Sequence, residues 1–412
     1  MKSLVYALGA FPQPSETFIL QEVSALLDSE LSVKVVSTAL RPESLRPETR
    51  GGLIANWTAY PRASLPGEVA NLSWVALRHP VATMRLLALN QRLLILPNHS
   101  RLRRLARAIH LLAIAGEPSV GHLHAHWTVP SDVAMMVGRV LGITYSFSMH
   151  AHDIYDEAPL VLGGSRRPGL EAKVRSARFV LCCTRAGRDQ VLGLVRDAGV
   201  GRVVTHYHGV DTARFRPIAS ASPRQTPPLV VSAGRLIAYK GFDVLIEVFA
   251  RLARRGVAFR SVIIGDGALR AALQAQVDRS GIADRVTLPG WKSHEEMSDI
   301  LAGADAFALM SDERKGQHGL PNVLLEAMSC GLATLATPGP AIGELLEDGI
   351  NGLLLPFDAG AASELMESVL TNPALRERLG QNGRRTVLSG FRLTEQSDSL
   401  VARFREALES ET

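Results

Sequence analysis

Residues 319–337 read GLPNVLLEAMSCGLATLAT. Gly319-Leu320 forms a loop, and Pro321 stands near a first helical position, where its missing N–H costs little. An apolar run at helical spacing follows, ends at Gly331, and gives way to a short strand at Ala333–Ala336. One acid, Glu326, sits inside the apolar run, and His318 stands at the mouth of the loop.

Outward from this stretch the same alternation repeats. The second half offers strands at 229–234, Ser261–Gly265, Val286–Leu288, Ala306–Leu309 and Gly352–Leu355, separated by helical patterns. The first half offers Ser3–Leu8, Ser32–Ser37, Val120–Ala125, Tyr145–Met149, Phe179–Cys183 and Arg202–Tyr207, with helices such as Glu16–Leu27 and Pro130–Leu141 between them. Ser15-Glu16-Thr17 reads as an N-cap with an acidic first turn. Strands alternating with helices predict parallel sheets covered by helices. Residues 218–228, IASASPRQTPP, have linker chemistry, so the chain reads as two α/β domains. Its 412 residues suit two domains.

Composition narrows the class. Hydrophobic residues at 46% and charged residues at 21% are those of a soluble globular protein. The opening MKSLVYALG is strand-like with no cleavage pattern, so no signal peptide is expected. The best membrane-span candidate, Leu105–Gly116, is too short and carries Arg107 and His110. Cys182, Cys183 and Cys330 have no metal-ligand spacing; the first two, in a strand-like run, read as buried structural thiols, and a reducing, cytoplasmic compartment is expected. Charge is uneven: residues 1–215 hold 24 Lys/Arg against 16 Asp/Glu, while 216–412 hold 21 against 24. Residues 62–107 hold eight arginines and one glutamate, with Trp74 and many Leu and Ile. That stretch is either a solvated helical cover or a face that docks on an anionic membrane.

Ligands of doubly wound sheets sit beyond the carboxyl ends of strands. After 229–233 come Gly234, Arg235 and Lys240, which form either a diphosphate clamp or a solvated surface pair. After Ser261–Ile264 comes Gly265-Asp266-Gly267, a place for close ligand approach or a plain turn. The leading amides of the helix, Asn322 and Val323, favour an anion. Glu326, about a turn further on, suits sugar hydroxyls or is a buried acid satisfied by backbone amides. Histidines crowd two strand ends in the first half: His122, His124 and His126, then His150 and His152 beside Asp153. They read as zinc ligands, as polar active-site groups or as structural residues.

The motifs together resemble the retaining GT-B glycosyltransferases of family four, nearest the exopolysaccharide and colanic-acid type. They are FPQPSETFI (11–19), HLHAHW (122–127), SMHAHDIY (148–155), HGVDTARFRP (208–217), SAGRLIAYKGFDVLI (232–246), IIGDGALR (263–270), LPGW (288–291) and GLPNVLLEAMSCGLATLAT (319–337). The resemblance implies two Rossmann-like domains facing a cleft. The first, 1–217, is acceptor-binding. The second, 218–390, is nucleotide-sugar-binding, and a helix in 391–412 returns to the first. It implies transfer of a sugar from a UDP- or GDP-linked donor, with retention, to a lipid-linked or small glycan acceptor hydroxyl. No cofactor, metal or nucleic acid is implied. The enzyme would be cytoplasmic, at the inner face of the membrane. By resemblance Arg235 and Lys240 hold the diphosphate and are catalytic with His150. Gly234, Asp266, Trp291, His318, Gly319, Leu320, Asn322, Val323 and Glu326 contact the donor, with Glu326 on the ribose. Ser15, Glu16, His126, His152 and Asp153 lie on the acceptor side.

One departure stands out. The family has a glutamate eight residues before the one matched by Glu326, and here that position is His318. A non-catalytic binding relative and a histidine-based metal hydrolase are the rival readings.

Overall fold

The computed structural model describes residues 2–11, 17–37, 39–40, 57–59, 73–92, 101–151, 153–154, 168–195, 200–218, 227–312 and 319–409. Two compact units emerge, residues 1–207 with 397–412, and 208–396. The division falls at Tyr207/His208, ten residues before the expected domain end. The HGVDTARFRP segment therefore belongs to the second unit, where Phe215 is buried and its carbonyl accepts from Ser329 Oγ.

The strands of the first unit are β1 (Ser3–Ala7), β2 (Ala10–Phe11), β3 (Val33–Ser37), β4 (Ala39–Leu40), β5 (Trp57–Ala59), β6 (Val120–His126), β7 (Thr144–Met149), β8 (Val180–Cys182) and β9 (Val203–Thr205). Seven of them form a sheet ordered β5-β3-β1-β6-β7-β8-β9, and β2 pairs with β4. The pairs are parallel throughout. Such a sheet is buried on both faces, which is why its strands read as nearly continuous apolar runs. Period-two alternation sorts them. Val5, Ala7, Leu123 and Ala125 enter one core, while Leu4, Tyr6 and Leu8 enter the other. The helix Leu393–Glu409 closes that second core with Leu400, Phe404, Ala407 and Leu408.

The second unit has β10 (Leu229–Ala233), β11 (Arg260–Ile264), β12 (Val286–Gly290), β13 (Ala306–Leu309), β14 (Ala333–Ala336) and β15 (Leu353–Leu354). Their order is β12-β11-β10-β13-β14-β15, again parallel. In each sheet the order reverses once, between β1 and β6 and between β10 and β13. Those are the topological switch points at which ligands of this architecture bind. Two details differ from expectation. The short strands β2, β4 and β5 have no counterpart among the expected strands, and Pro321 caps the helix Asn322–Ser329 from outside it. Among the described residues no helix is long and apolar enough to cross a membrane.

Alternation also puts His122, His124 and His126 of β6 on one face, fully buried. Their register partners on β7 are Thr144, Ser146 and Ser148. His122 contacts Thr144 Oγ1 and Ser146 Oγ, both at 2.7 Å. His124 contacts Ser146 Oγ at 2.7 Å and Ser148 Oγ at 3.1 Å. Phe404 closes over His124 at 4.9 Å, edge-on. The hydroxyls satisfy the neutral rings, and burial opposes charging them. Burial, then the Arg178 charge, pushes His122 down to about 3, and burial lowers His124 and His206 as well.

These depressed values give stability a pH dependence. Below the unfolded value of about 6.5 the unfolded chain takes up protons that the folded chain refuses, so stability is full above that pH and falls beneath it. Urea midpoints compared between about pH 7.5 and 5.5 should show a loss near 1 kcal/mol for each such histidine. His122→Gln should flatten that dependence, and an unchanged slope would clear His122 of the effect.

Candidate functional site

The second unit gathers its site at the β10/β13 switch point. Gly234 and Arg235 follow β10, and a short 3-10 turn, Ala238–Lys240, leads through Gly241 into the helix Phe242–Arg254. Gly241 has φ +62°, and a Cβ there would lie 1.8 Å from the Met310 carbonyl oxygen. The loop after β10 is thereby packed against the loop after β13, where Asp312 N–H donates to the Tyr239 carbonyl at 2.7 Å. Tyr239 organises the two cations. Its hydroxyl accepts from Arg235 at 2.8 Å, and Lys240 Nζ lies 5.4 Å from its ring centroid. A Cβ at Gly234 would meet the Lys240 stem at 3.9 Å, so the lysine runs past the strand end.

The helix Asn322–Ser329 approaches the same end of the sheet. Leu324 N–H donates to the Pro321 carbonyl at 2.9 Å, so the amides of Asn322 and Val323 lead the helix. Gly319 and Pro321 line a recess with Ser311, Leu309 and Thr337. Asn322 Oδ1 and Ser311 Oγ are buried without a hydrogen-bond partner among the described residues. A buried orphan acceptor costs about 1–3 kcal/mol unless a ligand supplies its donor. Glu326 is buried and reaches His294 Nε2 at 3.1 Å, so a side chain answers it where backbone amides were the bland expectation. His294 opens the helix His294–Ala302, set by a capping box between Ser293 and Glu296. Trp291, after β12, is exposed. The Asp266 carboxylate folds onto its neighbour and accepts from Gly267 N–H at 2.7 Å.

In the first unit a hydrogen-bonded chain runs inward from His150, which is buried just after β7. His150 Nε2 lies 3.0 Å from His126 Nδ1, and His126 Nε2 lies 2.6 Å from the Tyr6 hydroxyl. Tyr6 donates to Glu22 Oε2 at 2.7 Å, and His126 Nε2 is 3.2 Å from the same oxygen. Burial, then Glu22, raises Tyr6 far above its ordinary value, so it stays neutral. Because Tyr6 donates to Glu22, its oxygen accepts from His126 Nε2–H. His126 Nδ1 is then an acceptor for His150 Nε2–H. Asp153 accepts from His150 N–H at 3.0 Å. The histidine cluster thus divides. His122 and His124 spend both ring nitrogens on hydroxyls, whereas His126 and His150 pair with each other.

Among the expected site residues, the second unit brings Gly234, Arg235, Lys240, Gly319, Leu320, Asn322, Val323 and Glu326 to one end of its sheet. Trp291 and Asp266 stand on neighbouring strand ends. In the first unit His126, His150 and Asp153 adjoin. Ser15, Glu16, His152 and His318 lie outside the described residues. Tyr239, His294, Tyr6, Glu22 and Trp127 are additional. Trp127, the end of HLHAHW, and Tyr239, inside SAGRLIAYKGFDVLI, stand in motifs of the sequence, and the other three carry no such signal.

Residues 216–386 match the family model described as glycosyl transferases group 1. The putative colanic acid biosynthesis glycosyltransferase WcaL of Escherichia coli (strain K12) is 29% identical over 371 residues, covering 85% of this chain and 86% of the relative. The alpha-D-kanosaminyltransferase of Streptomyces kanamyceticus is 29% identical over 304 residues, covering 69% and 77%. Anabaena Alr3699/HepE, solved in complex with UDP, superposes with a TM-score of 0.72 at 16% identity, over 98% of this chain and all of that one. The structural likeness shows the fold, GT-B with its two Rossmann-like α/β units. The family match and the relatives support a glycosyltransferase.

Tyr6→Phe removes the hydroxyl between Glu22 and His126. A loss of about 1–3 kcal/mol is expected in urea unfolding, because a buried carboxylate and a buried imidazole each lose a partner. Long-range nitrogen–proton NMR should report both His126 and His150 as Nε2–H tautomers in the wild type. An Nδ1–H tautomer at His126 would contradict the assigned chain.

Proposed function

We propose that this chain is a retaining, metal-independent glycosyltransferase of family four. It would move a sugar from a UDP- or GDP-linked donor to an acceptor hydroxyl, in the cytoplasm, during exopolysaccharide or other glycoconjugate assembly. The observation that carries the reading is the set of Arg235, Lys240 and the helix start at Asn322, all at the β10/β13 switch point. Two cations and a helix N-terminus suit the developing charge of a nucleoside diphosphate leaving group. The names of the glycosyltransferase relatives support it, as does the UDP bound by Anabaena Alr3699/HepE.

In this reading Arg235 and Lys240 hold the diphosphate, with Tyr239 setting their spread. Glu326, oriented by His294, accepts from the ribose hydroxyls. Asn322 Oδ1 takes a donor from the sugar. The departing phosphate accepts the acceptor's proton in a same-face displacement. His150, held by His126, is the catalytic group offered by the first unit. The acceptor is a lipid-linked or small glycan. A non-catalytic sugar-nucleotide-binding relative is the second reading, favoured by His318 at the place of the family's first glutamate.

Removing one cation should act chiefly on the transition state. Turnover of Arg235→Ala and of Lys240→Ala should fall by roughly two to three decades, the scale of losing one oxyanion donor. Thermal-shift screening of nucleotide sugars identifies the donor to assay, and both variants turning over within threefold of wild type would refute the clamp.

His318 bears on donor choice. A neutral imidazole donates one hydrogen bond and accepts one, where a carboxylate only accepts. His318→Glu should therefore change the preferred sugar and cost the native donor more than about tenfold in kcat/KM. An unchanged donor ranking would remove His318 from specificity. Nucleotide binding by both forms without turnover of any donor would favour the non-catalytic reading.

A further inference from the structure

The helical stretch 73–92 is apolar on two sides. Its solvent side carries Trp74, Leu77, Val81 and Met84, which are 48%, 85%, 63% and 68% exposed. Their spacing of three and four places them on one helix face. The inward side buries Val75 and Leu86, packs Ala82 and Leu89 against the same core, and also buries the polar Thr83 and Asn90. Thr83 makes itself tolerable there by donating to the His79 carbonyl at 2.9 Å. A surface helix ordinarily turns its apolar stripe to the core and its polar residues to water. Here four of the nine large hydrophobics exposed among the described residues lie within eleven positions of one face. Scattered single exposures need no explanation, but a contiguous stripe marks an interaction surface.

The charge on that face identifies the partner. Arg78 and Arg85 follow Trp74 and Val81 by four positions, so they share the exposed side. The Arg78 guanidinium lies 5.3 Å from the Trp74 ring centroid. Residues 73–92 contain no aspartate or glutamate. A protein interface ordinarily surrounds its apolar centre with a polar rim. This face offers apolar side chains and guanidinium forks alone, and guanidinium suits phosphate.

We propose that the 73–92 face docks on an anionic lipid bilayer. Leu77, Val81, Met84 and the Trp74 ring enter the boundary between headgroups and acyl chains, and Arg78 and Arg85 pair with lipid phosphates. The surface gives the glycosyl-transfer reading a route to a lipid-linked acceptor, but it stands on its own observations and is measured without turnover.

Co-sedimentation of the full chain with phosphatidylglycerol/phosphatidylcholine vesicles tests it, beside pure phosphatidylcholine vesicles. Wild-type protein should bind the anionic vesicles at low salt and be released as salt screens the attraction. Arg78→Ala and Arg85→Ala should each weaken partitioning roughly fivefold. The doubly substituted L77S/M84S protein keeps its charge and should weaken it by at least about tenfold. Every substituted side chain is exposed, so unfolding midpoints should match wild type. Three results would each overturn the proposal: no binding to anionic vesicles at low salt, equal binding by L77S/M84S, or a stripe-dependent dimer in sedimentation velocity, which would give the face to a second copy.

Discussion

No side chain fits between the strand ends that build the second unit's site. A Cβ on Gly265 would lie 1.9 Å from the Gly234 carbonyl oxygen, and one on Gly241 would lie 1.8 Å from that of Met310. Both glycines hold positive φ, +143° and +62°, which side chains resist. Because these positions are bare, the loops after β10, β11 and β13 close on one another. Leu236 N–H donates to the Asp266 carbonyl at 2.9 Å, and Asp312 N–H to that of Tyr239 at 2.7 Å. Arg235 and Lys240 therefore leave from a rigid knot of backbone, not from a free loop. Such fixed origins keep cations poised for developing charge without reorganisation.

The first unit meets the opposite problem. Its site lies where the sheet is driest, and charge there is expensive. β6 answers with neutral imidazoles, and β7 supplies a hydroxyl at each facing position. The register that satisfies His122 and His124 also carries His126 to the strand end, where Tyr6 and Glu22 continue the chain of hydrogen bonds. A parallel register slipped by one residue would turn all three histidines into the apolar core on the other face. Burying the histidines and placing His150 are thus consequences of one pairing.

Strand positions were legible because a parallel sheet demands apolar runs on both faces, and the short β2, β4 and β5, of two or three residues each, escaped that demand. The cations at 235 and 240 and the acid at 326 were legible because each follows a strand or leads a helix. Their partners were not. Tyr239 reads as one aromatic in a loop, and His294 as one polar residue after a cap. Tyr6 and Glu22 read as an ordinary strand aromatic and an ordinary helix acid. Glu22 joins Tyr6 across 16 residues of chain and Tyr6 joins His126 across 120, through sheet order that periodicity does not encode. The 73–92 stripe was legible as basic and apolar, but periodicity alone assigns an apolar face to the core, and here a second apolar face looks outward.

Trp127 shows how firmly His150 is held. Its backbone has φ +71° and ψ +162°, a region occupied almost only by glycine, and among the described residues it is the one non-glycine with positive φ. Such a conformation costs about 1–3 kcal/mol and persists where the surroundings over-determine it. Glycine would serve the β6-to-helix turn without that cost, so the reason for tryptophan lies in its ring. The ring centroid sits 4.4 Å from that of His150, with Phe18 at 4.9 Å and His126 stacked at 5.2 Å. Trp127 N–H is tied to the Ser148 carbonyl at 3.2 Å, one residue short of the start of the His150 turn. Three rings and one hydrogen bond leave the imidazole a single orientation, with Nε2–H on His126. The strain at Trp127 is stored where it fixes the direction of one proton.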